Sequence, residues 1–123
     1  MSTTTENMKN VLTKYFEAWQ NQDSEQLCSL FSENGIYKVK PFGLEEYKGL
    51  EKIKSYWEAN PVTKQINPMP KLLTSAFGDG ICFAEWESTS TTNEGITKTT
   101  RGMLLLEFEG DLIKELREHY LSQ

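Results

Sequence analysis

The sequence predicts an α+β fold, with helices in its first half and a mainly antiparallel sheet in its second. Two observations predict it. Met8, Val11, Leu12, Tyr15, Phe16 and Trp19 recur at helical spacing, whereas the apolar positions after Gln65 alternate with period two. A third bounds the answer: 123 residues suit one core, since single domains run to about 100–150 residues, so residues 1–123 are expected to form one domain.

The elements follow in order. Thr3 and Glu6 have the Thr-x-x-Glu spacing of a capping box, and a long helix follows whose apolar stripe ends at Trp19. Its phase breaks at Asn21-Gln22, and Asp23 caps a short second helix that turns Leu27, Leu30 and Phe31 inward. Asn34-Gly35 is expected to turn the chain before a short strand from Ile36 to Val39. A loop with Pro41 and Gly43 leads to a third helix, Leu50 to Ala59, which buries Ile53, Tyr56 and Trp57 and stops at Asn60-Pro61.

Pro68 and Pro70 confine the next stretch to an edge or an irregular lead-in, because proline donates no ladder hydrogen bond. Four strands are expected at Lys71–Phe77, Ile81–Thr91, Thr97–Glu109 and Leu112–Leu121. Gly78-Asp79-Gly80, Asn93-Glu94-Gly95 and Gly110-Asp111 join them as antiparallel neighbours. In the third of these strands Leu104, Leu106 and Phe108 point one way and Met103 and Leu105 the other. A strand apolar on both faces needs two covers. The helices supply one, so a second copy of the chain is expected on the other, making a homodimer through the sheet.

Charge narrows the partners. The net charge is −5, and residues 79–123 hold 4 basic and 9 acidic residues while residues 1–78 hold 9 of each. Neither the phosphates of a nucleic acid nor an anionic membrane surface attracts such a chain, and its longest apolar run, Met103 to Leu106, is far too short to span a bilayer. No basic residue followed by an apolar stretch opens the sequence, so a cytoplasmic location is expected. Cys28 and Cys82 form no Cys-x-x-Cys pair and are expected as free thiols. With one histidine beside them they do not make a structural zinc site, and no cofactor is expected.

The candidate chemistry concentrates in the last strand. Strict alternation puts Ile113, Glu115, Arg117 and His119 on one face and Leu112, Lys114, Leu116, Glu118 and Tyr120 on the other. The first set joins an acid, a guanidinium and the only histidine. It reads either as a solvated face with a weak Glu115–Arg117 pair or as the floor of a cavity in which His119 exchanges protons near neutrality. Tyr15, Trp19, Tyr37, Trp57 and Trp86 would serve either as core or as an aromatic wall for a planar apolar ligand. Glu85 and Glu87 share a strand face, as an acid pair or as solvated carboxylates, and Arg101 receives no chemical role. No Gly-x-Gly-x-x-Gly, Walker-type loop, Gly-x-Ser-x-Gly or His-Glu-x-x-His string occurs, which sets aside nucleotide, serine-hydrolase and zinc-protease readings.

Several strings in this order resemble the SnoaL-like members of the nuclear transport factor 2-like superfamily. They are Tyr15-Phe16-Glu17-Ala18-Trp19 leading to Asp23 and Leu27–Phe31, Tyr47-Lys48-Gly49 before Ile53 and Tyr56-Trp57, and Arg101-Gly102-Met103 through Phe108 with Leu116-Arg117-Glu118-His119. The resemblance covers nearly the whole chain. It implies a cone-like half-barrel of the cystatin-like kind, with three helices on a curved, mainly antiparallel sheet, an apolar pocket between them and dimerisation through the outer sheet surface.

The superfamily includes ketosteroid isomerases, which pair a helix-one tyrosine with an aspartate base and a protonated aspartic acid; the handling of that acid is a known case of pKa tuning. Tyr15 falls on the tyrosine position, but the base position falls on Val39 or Lys40 and the second acid on Leu104. Isomerisation by that route is therefore not expected. The resemblance also puts Glu115, Arg117 and His119 on the pocket side, which favours the cavity reading. Three functions follow. The first is a dimeric binding protein for a small apolar or aromatic molecule, with Trp19, Tyr37, Trp57 and Trp86 around the ligand and Tyr15 and the Glu115, Arg117 and His119 set orienting its polar end. The second is an isomerase-, cyclase- or hydrolase-type enzyme with His119 or Glu115 as general base and Tyr15 or Arg117 stabilising an oxyanion. The third is a protein-interaction module using the outer sheet face.

Overall fold

The chain is described by a computed structural model covering residues 3–39, 44–59, 66–92 and 94–122. The loop with Pro41 and Gly43, Lys40, the Asn60-Pro61 stop and Asn93 lie outside the described residues. Three helices, α1 (Thr5–Asn21), α2 (Ser24–Ser29) and α3 (Leu50–Ala59), pack on six strands. These are β1 (Phe31–Val39), β2 (Glu45–Lys48), β3 (Ile66–Gly78), β4 (Ile81–Thr91), β5 (Thr97–Glu109) and β6 (Leu112–Ser122). Their order in the sheet is β2-β1-β6-β5-β4-β3, antiparallel throughout except for the parallel β1–β6 pair.

The cap of α1 is Thr4, one residue later than expected, and its hydroxyl accepts from the Asn7 amide at 3.0 Å. Met8, Val11, Leu12, Tyr15, Ala18 and Trp19 form the buried stripe, so the helical spacing carries through to the packing. Gln22 ends the helix in the left-handed region, donating its N–H back to Ala18 and Trp19, and Asp23 caps α2 by accepting from the Gln26 amide at 3.0 Å.

Asn34-Gly35 does not turn the chain. Both residues lie inside β1, where the register with β6 slips between Phe31 and Ile36. An Asn-Gly pair serves a bulge as readily as a hairpin, since both need permissive backbone. The four-residue strand β2, also not anticipated, pairs with the far end of β1. β3 begins at Ile66 and runs through both prolines, which its edge position allows. Asp79 and Gly80 both have positive φ, 50° and 74°, as a two-residue hairpin turn of the primed type requires.

One departure decides where the chemistry sits. β5 and β6 pair Glu107 with Glu115 but Phe108 with Ile113, so Lys114 is an extra residue with no partner. This bulge reverses the alternation within β6. Ile113, Leu116 and Glu118 are buried under the helices, and Tyr120, half-buried, packs against the same core. Glu115, Arg117 and His119 take the other face. β5 does carry apolar residues on both sides: Leu104 and Leu106 are buried, while Met103 is 47% exposed.

Candidate functional site

The outer face holds the three groups expected to look inward. Arg117 bonds the Glu115 carboxylate beside it and, through Nη2, Glu107 on β5 at 2.6 Å. Lys38 on β1 lies 3.6 Å from Glu115 and 3.8 Å from Glu46 on β2. Glu46, Lys38, Glu115, Arg117 and Glu107 thus form a charge ladder across four strands, and the bond to Glu107, foremost among its acidic contacts, holds the guanidinium pKa above its ordinary value. His119 is exposed and lines a hollow of about 650 Å³ with Leu73, Glu85, Arg101 and Met103, which the backbone neighbours Trp86, Gly102 and Tyr120 also touch. The expectation that Glu115, Arg117 and His119 share a cavity under α1 with Tyr15 is therefore corrected. The cause is the extra residue Lys114, which no alternation count along a single strand can register. Glu85 and Glu87 share this outer face too, and Glu87 is tied to Arg101 at 2.6 Å.

The inner face carries an acid that the alternation had assigned to the apolar side without a role. Glu118 is only 7% exposed. Tyr15 of α1 donates to its Oε2 at 3.2 Å and Tyr37 of β1 donates to its Oε1 at 3.3 Å. The two phenolic oxygens are 3.1 Å apart, and the indole Nε1 of Trp57 on α3 donates to Tyr37 at 3.2 Å. Two helices and two strands therefore converge on one carboxyl group. Burial pushes the Glu118 pKa up to about 7, against the opposing pull of the Tyr15 and Tyr37 hydrogen bonds. Burial also drives both phenols well above their ordinary value, with the Glu118 charge adding to it. Near neutrality Glu118 can hold or release a proton, while the tyrosines keep theirs.

The row in which Glu118 stands is informative. Its direct partners in the sheet are Val39 on β1 and Leu104 on β5; Leu104 is the second-acid position of the isomerase resemblance, and Val39 is one of the two alternatives, with Lys40, for the base position. An acid is present in that row after all, on the strand between them. The signal in the sequence was a glutamate alternating with Leu116 and Tyr120, a carboxylate on the apolar side of a strand.

The aromatic residues expected as a wall are all buried: Tyr15, Trp19, Tyr37, Trp57 and Trp86. Trp19 meets Trp86 edge-on at 4.7 Å between ring centres, and Tyr15 meets Trp57 at 6.0 Å. Trp86 lies across β5 only because its partner there is Gly102: a Cβ at that position would come within 2.5 Å of the Trp86 ring and of the His119 carbonyl oxygen. Both cysteines are free thiols, Cys82 buried and Cys28 half-buried, and burial raises the pKa of each, to about 11 for Cys82. Among the described residues no helix is long and apolar enough to cross a membrane.

The sequence profile of the SnoaL-like domain matches residues 12–116, from the middle of α1 through Leu116 of β6. The chain belongs to the SnoaL-like family. No curated protein matches it, but many solved structures do. One is a Catenulispora acidiphila protein with a ketosteroid isomerase-like fold in complex with trimethylamine, at TM-score 0.77 and 18% identity, over 89% of this chain and 83% of that one. Another is a Mycobacterium tuberculosis protein, Rv0760c, in complex with estradiol-17β-hemisuccinate, at TM-score 0.75 and 14% identity, over 91% and 92% of the two chains. A third is SalBIII, an epoxide hydrolase/cyclase-like enzyme of pyran ring formation in the polyether salinomycin, at TM-score 0.80 and 15% identity, over 94% and 92%. At these identities the likeness is one of fold. This SnoaL-like chain shares the three helices on a mostly antiparallel, nuclear transport factor 2-like sheet, and its own chemistry has to be read from its own residues.

Proposed function

We propose that this SnoaL-like chain acts as one domain that binds a small, largely apolar molecule beneath α1 and α3, and that Glu118, held by Tyr15 and Tyr37, is the polar group that meets it. The observation that carries this reading is the burial of Glu118 with no cationic partner among the described residues. An isolated buried carboxyl is costly, and a leucine there would pack at no such cost. Strongly perturbed acids of this kind concentrate at functional sites. Complexes of similar folds with trimethylamine and with a steroid ester support a small-molecule role. A thermal-shift panel of planar aromatic and steroid compounds, including estradiol-17β-hemisuccinate, tests it. At least one compound is expected to raise the midpoint in the wild type and to lose at least tenfold in affinity in E118Q; no shift with any compound, or equal binding by E118Q, overturns the reading.

A second reading, acid–base catalysis, is favoured by the titration of Glu118 near neutrality and by its place between Val39 and Leu104. Glu118, with Tyr15 beside it, takes the proton-transfer role first weighed for His119 and Glu115. Deuterium exchange at the α-carbon of 1-tetralone, followed by NMR, is expected to be faster with wild type than with E118Q; equal rates remove this reading.

The outer sheet face fits a second copy of the chain. Met103, Leu73 and Ile81 are exposed there at 47%, 44% and 39%, beside a ladder whose alternating signs suit a self-complementary contact. The free thiols fit a reducing, cytoplasmic setting. Sedimentation should give a dimer for wild type and a monomer for L73E/M103E; a wild-type monomer at micromolar concentration excludes the dimer.

A further inference from the structure

The tyrosines and tryptophans form an unbroken path through the molecule. Tyr47 on β2 stacks on Tyr56 of α3 at 4.3 Å between ring centres, and Tyr56 lies 5.6 Å from Tyr37. The Tyr37 and Tyr15 hydroxyls are 3.1 Å apart, Tyr15 is 6.3 Å from Trp19, and Trp19 meets Trp86 at 4.7 Å. Trp86 in turn lies 6.5 Å from Tyr120. The two end members, Tyr47 and Tyr120, are half-buried and those between are buried, so the path begins and ends at the surface. Packing alone does not ask for these residues, because each buried phenol or indole carries a polar tip that phenylalanine or leucine would not. Phenol and indole are, however, the aromatic side chains that give up an electron readily. A base stands at the middle of the path: Tyr15 and Tyr37 donate to the two oxygens of Glu118 at 3.2 and 3.3 Å. A phenol that loses an electron becomes a strong acid, and its proton leaves at once where a base already accepts from it. Trp86 is placed the other way. Its Nε1 has no acceptor among the described residues, so an oxidised indole there keeps its proton, stays strongly oxidising and draws its electron from the next ring.

We infer that Tyr15 and Tyr37 form a one-electron oxidation site, with Glu118 as the proton acceptor and the aromatic path as the conductor to the surface. The oxidant is an oxygen-centred radical of the peroxyl class that meets Tyr47 or Tyr120. It takes one electron to become a hydroperoxide anion, which takes a proton from water and leaves as the hydroperoxide. Each ring in turn refills its neighbour until the O–H bond of Tyr15 or Tyr37 breaks. The electron leaves along the path, the proton passes to a Glu118 oxygen, and a neutral tyrosyl radical remains beside a neutral carboxyl. Burial keeps both phenols protonated in the resting state, so the proton moves only with the electron. A small one-electron reductant such as ascorbate reverses both transfers. The step needs no ligand beneath the helices and so stands or falls apart from the binding reading above.

Pulse radiolysis in azide buffer tests this at about pH 8, where Glu118 is mostly ionised. Azide radicals oxidise the indoles first, and the conversion of indolyl into tyrosyl absorbance gives the rate of internal transfer. The wild type is expected to convert in a fast phase whose tyrosyl product ascorbate removes. E118Q, which can accept a hydrogen bond but not the proton, should form the tyrosyl radical about a hundredfold more slowly, and Y15F/Y37F should lose the fast phase. Tyr47 also donates to a carboxylate, Glu45 at 3.0 Å, and Y47F separates that pair from the buried one: it should keep the wild-type rate. Conversion in E118Q at the wild-type rate, loss of the fast phase in Y47F, or no conversion in the wild type overturns the inference.

Discussion

Replacing Glu118 by glutamine removes one titration and keeps the shape of the side chain, so it isolates what burial does to this acid. The folded carboxyl titrates near about 7, against an ordinary value of 4.5. Between those values the native state holds a proton that the unfolded chain has released. Stability therefore falls as pH rises, being greatest below the unfolded value and reaching its floor above the folded one. The whole interval is worth about 3 kcal/mol. Between about pH 5.5 and about pH 8 the wild type should lose about 2 kcal/mol of unfolding free energy relative to E118Q. Urea denaturation of both proteins across that range, with the difference plotted against pH, measures it. A difference that stays flat, or that rises with pH, refutes the reasoning: it would mean that the Tyr15 and Tyr37 hydrogen bonds outweigh desolvation and hold Glu118 ionised.

The other predictions are simpler. Y37F leaves the Trp57 indole without its acceptor and should cost about 1–3 kcal/mol by urea melting; losing one donor to the charged form should also move the Glu118 titration, followed by carbon NMR, further upward. G102A places a Cβ 2.5 Å from the His119 carbonyl oxygen and the Trp86 ring, and because one of these is backbone it should destabilise by about 1–3 kcal/mol and alter the Trp86 fluorescence. In the monomeric L73E/M103E background, H119A, on an exposed side chain, should change stability by no more than about 0.5 kcal/mol; a larger loss there in the same urea assay would show His119 to pack within the chain itself.

Much of the architecture was legible because it rests on short-range periodicity. The stripe from Met8 to Trp19, the break at Gln22, the Asp23 cap and the limits of α3, β4 and β5 all follow from residues within a few positions of one another. The two-sided apolar pattern of β5 was equally local. The strand β2 was not legible, since Glu45-Glu46-Tyr47-Lys48 has no apolar alternation and is a strand only because β1 offers it an edge. The chemistry of β6 was legible in content: of the two readings of its acid, guanidinium and imidazole, the solvated face with a Glu115–Arg117 pair is the one the structure shows and the cavity floor is not, while Glu118, which the fold buries, carries no mark in the alternation beyond its place beside Leu116 and Tyr120.

What the sequence by itself determined is the set of elements apart from β2, their order and the family, because helix stripes, caps and strand alternation are written in neighbouring residues. Only the tertiary structure decided which side of β6 faces the helices. Alternation gives two sets of residues but not their orientation, and a single unpaired residue, Lys114, reverses the parity between Ile113 and everything after it. That residue is visible only in the pairing of β6 with β5, more than a hairpin's local preferences can specify, and it is what delivers Glu118 to Tyr15 and Tyr37 and sends His119 to the outer face.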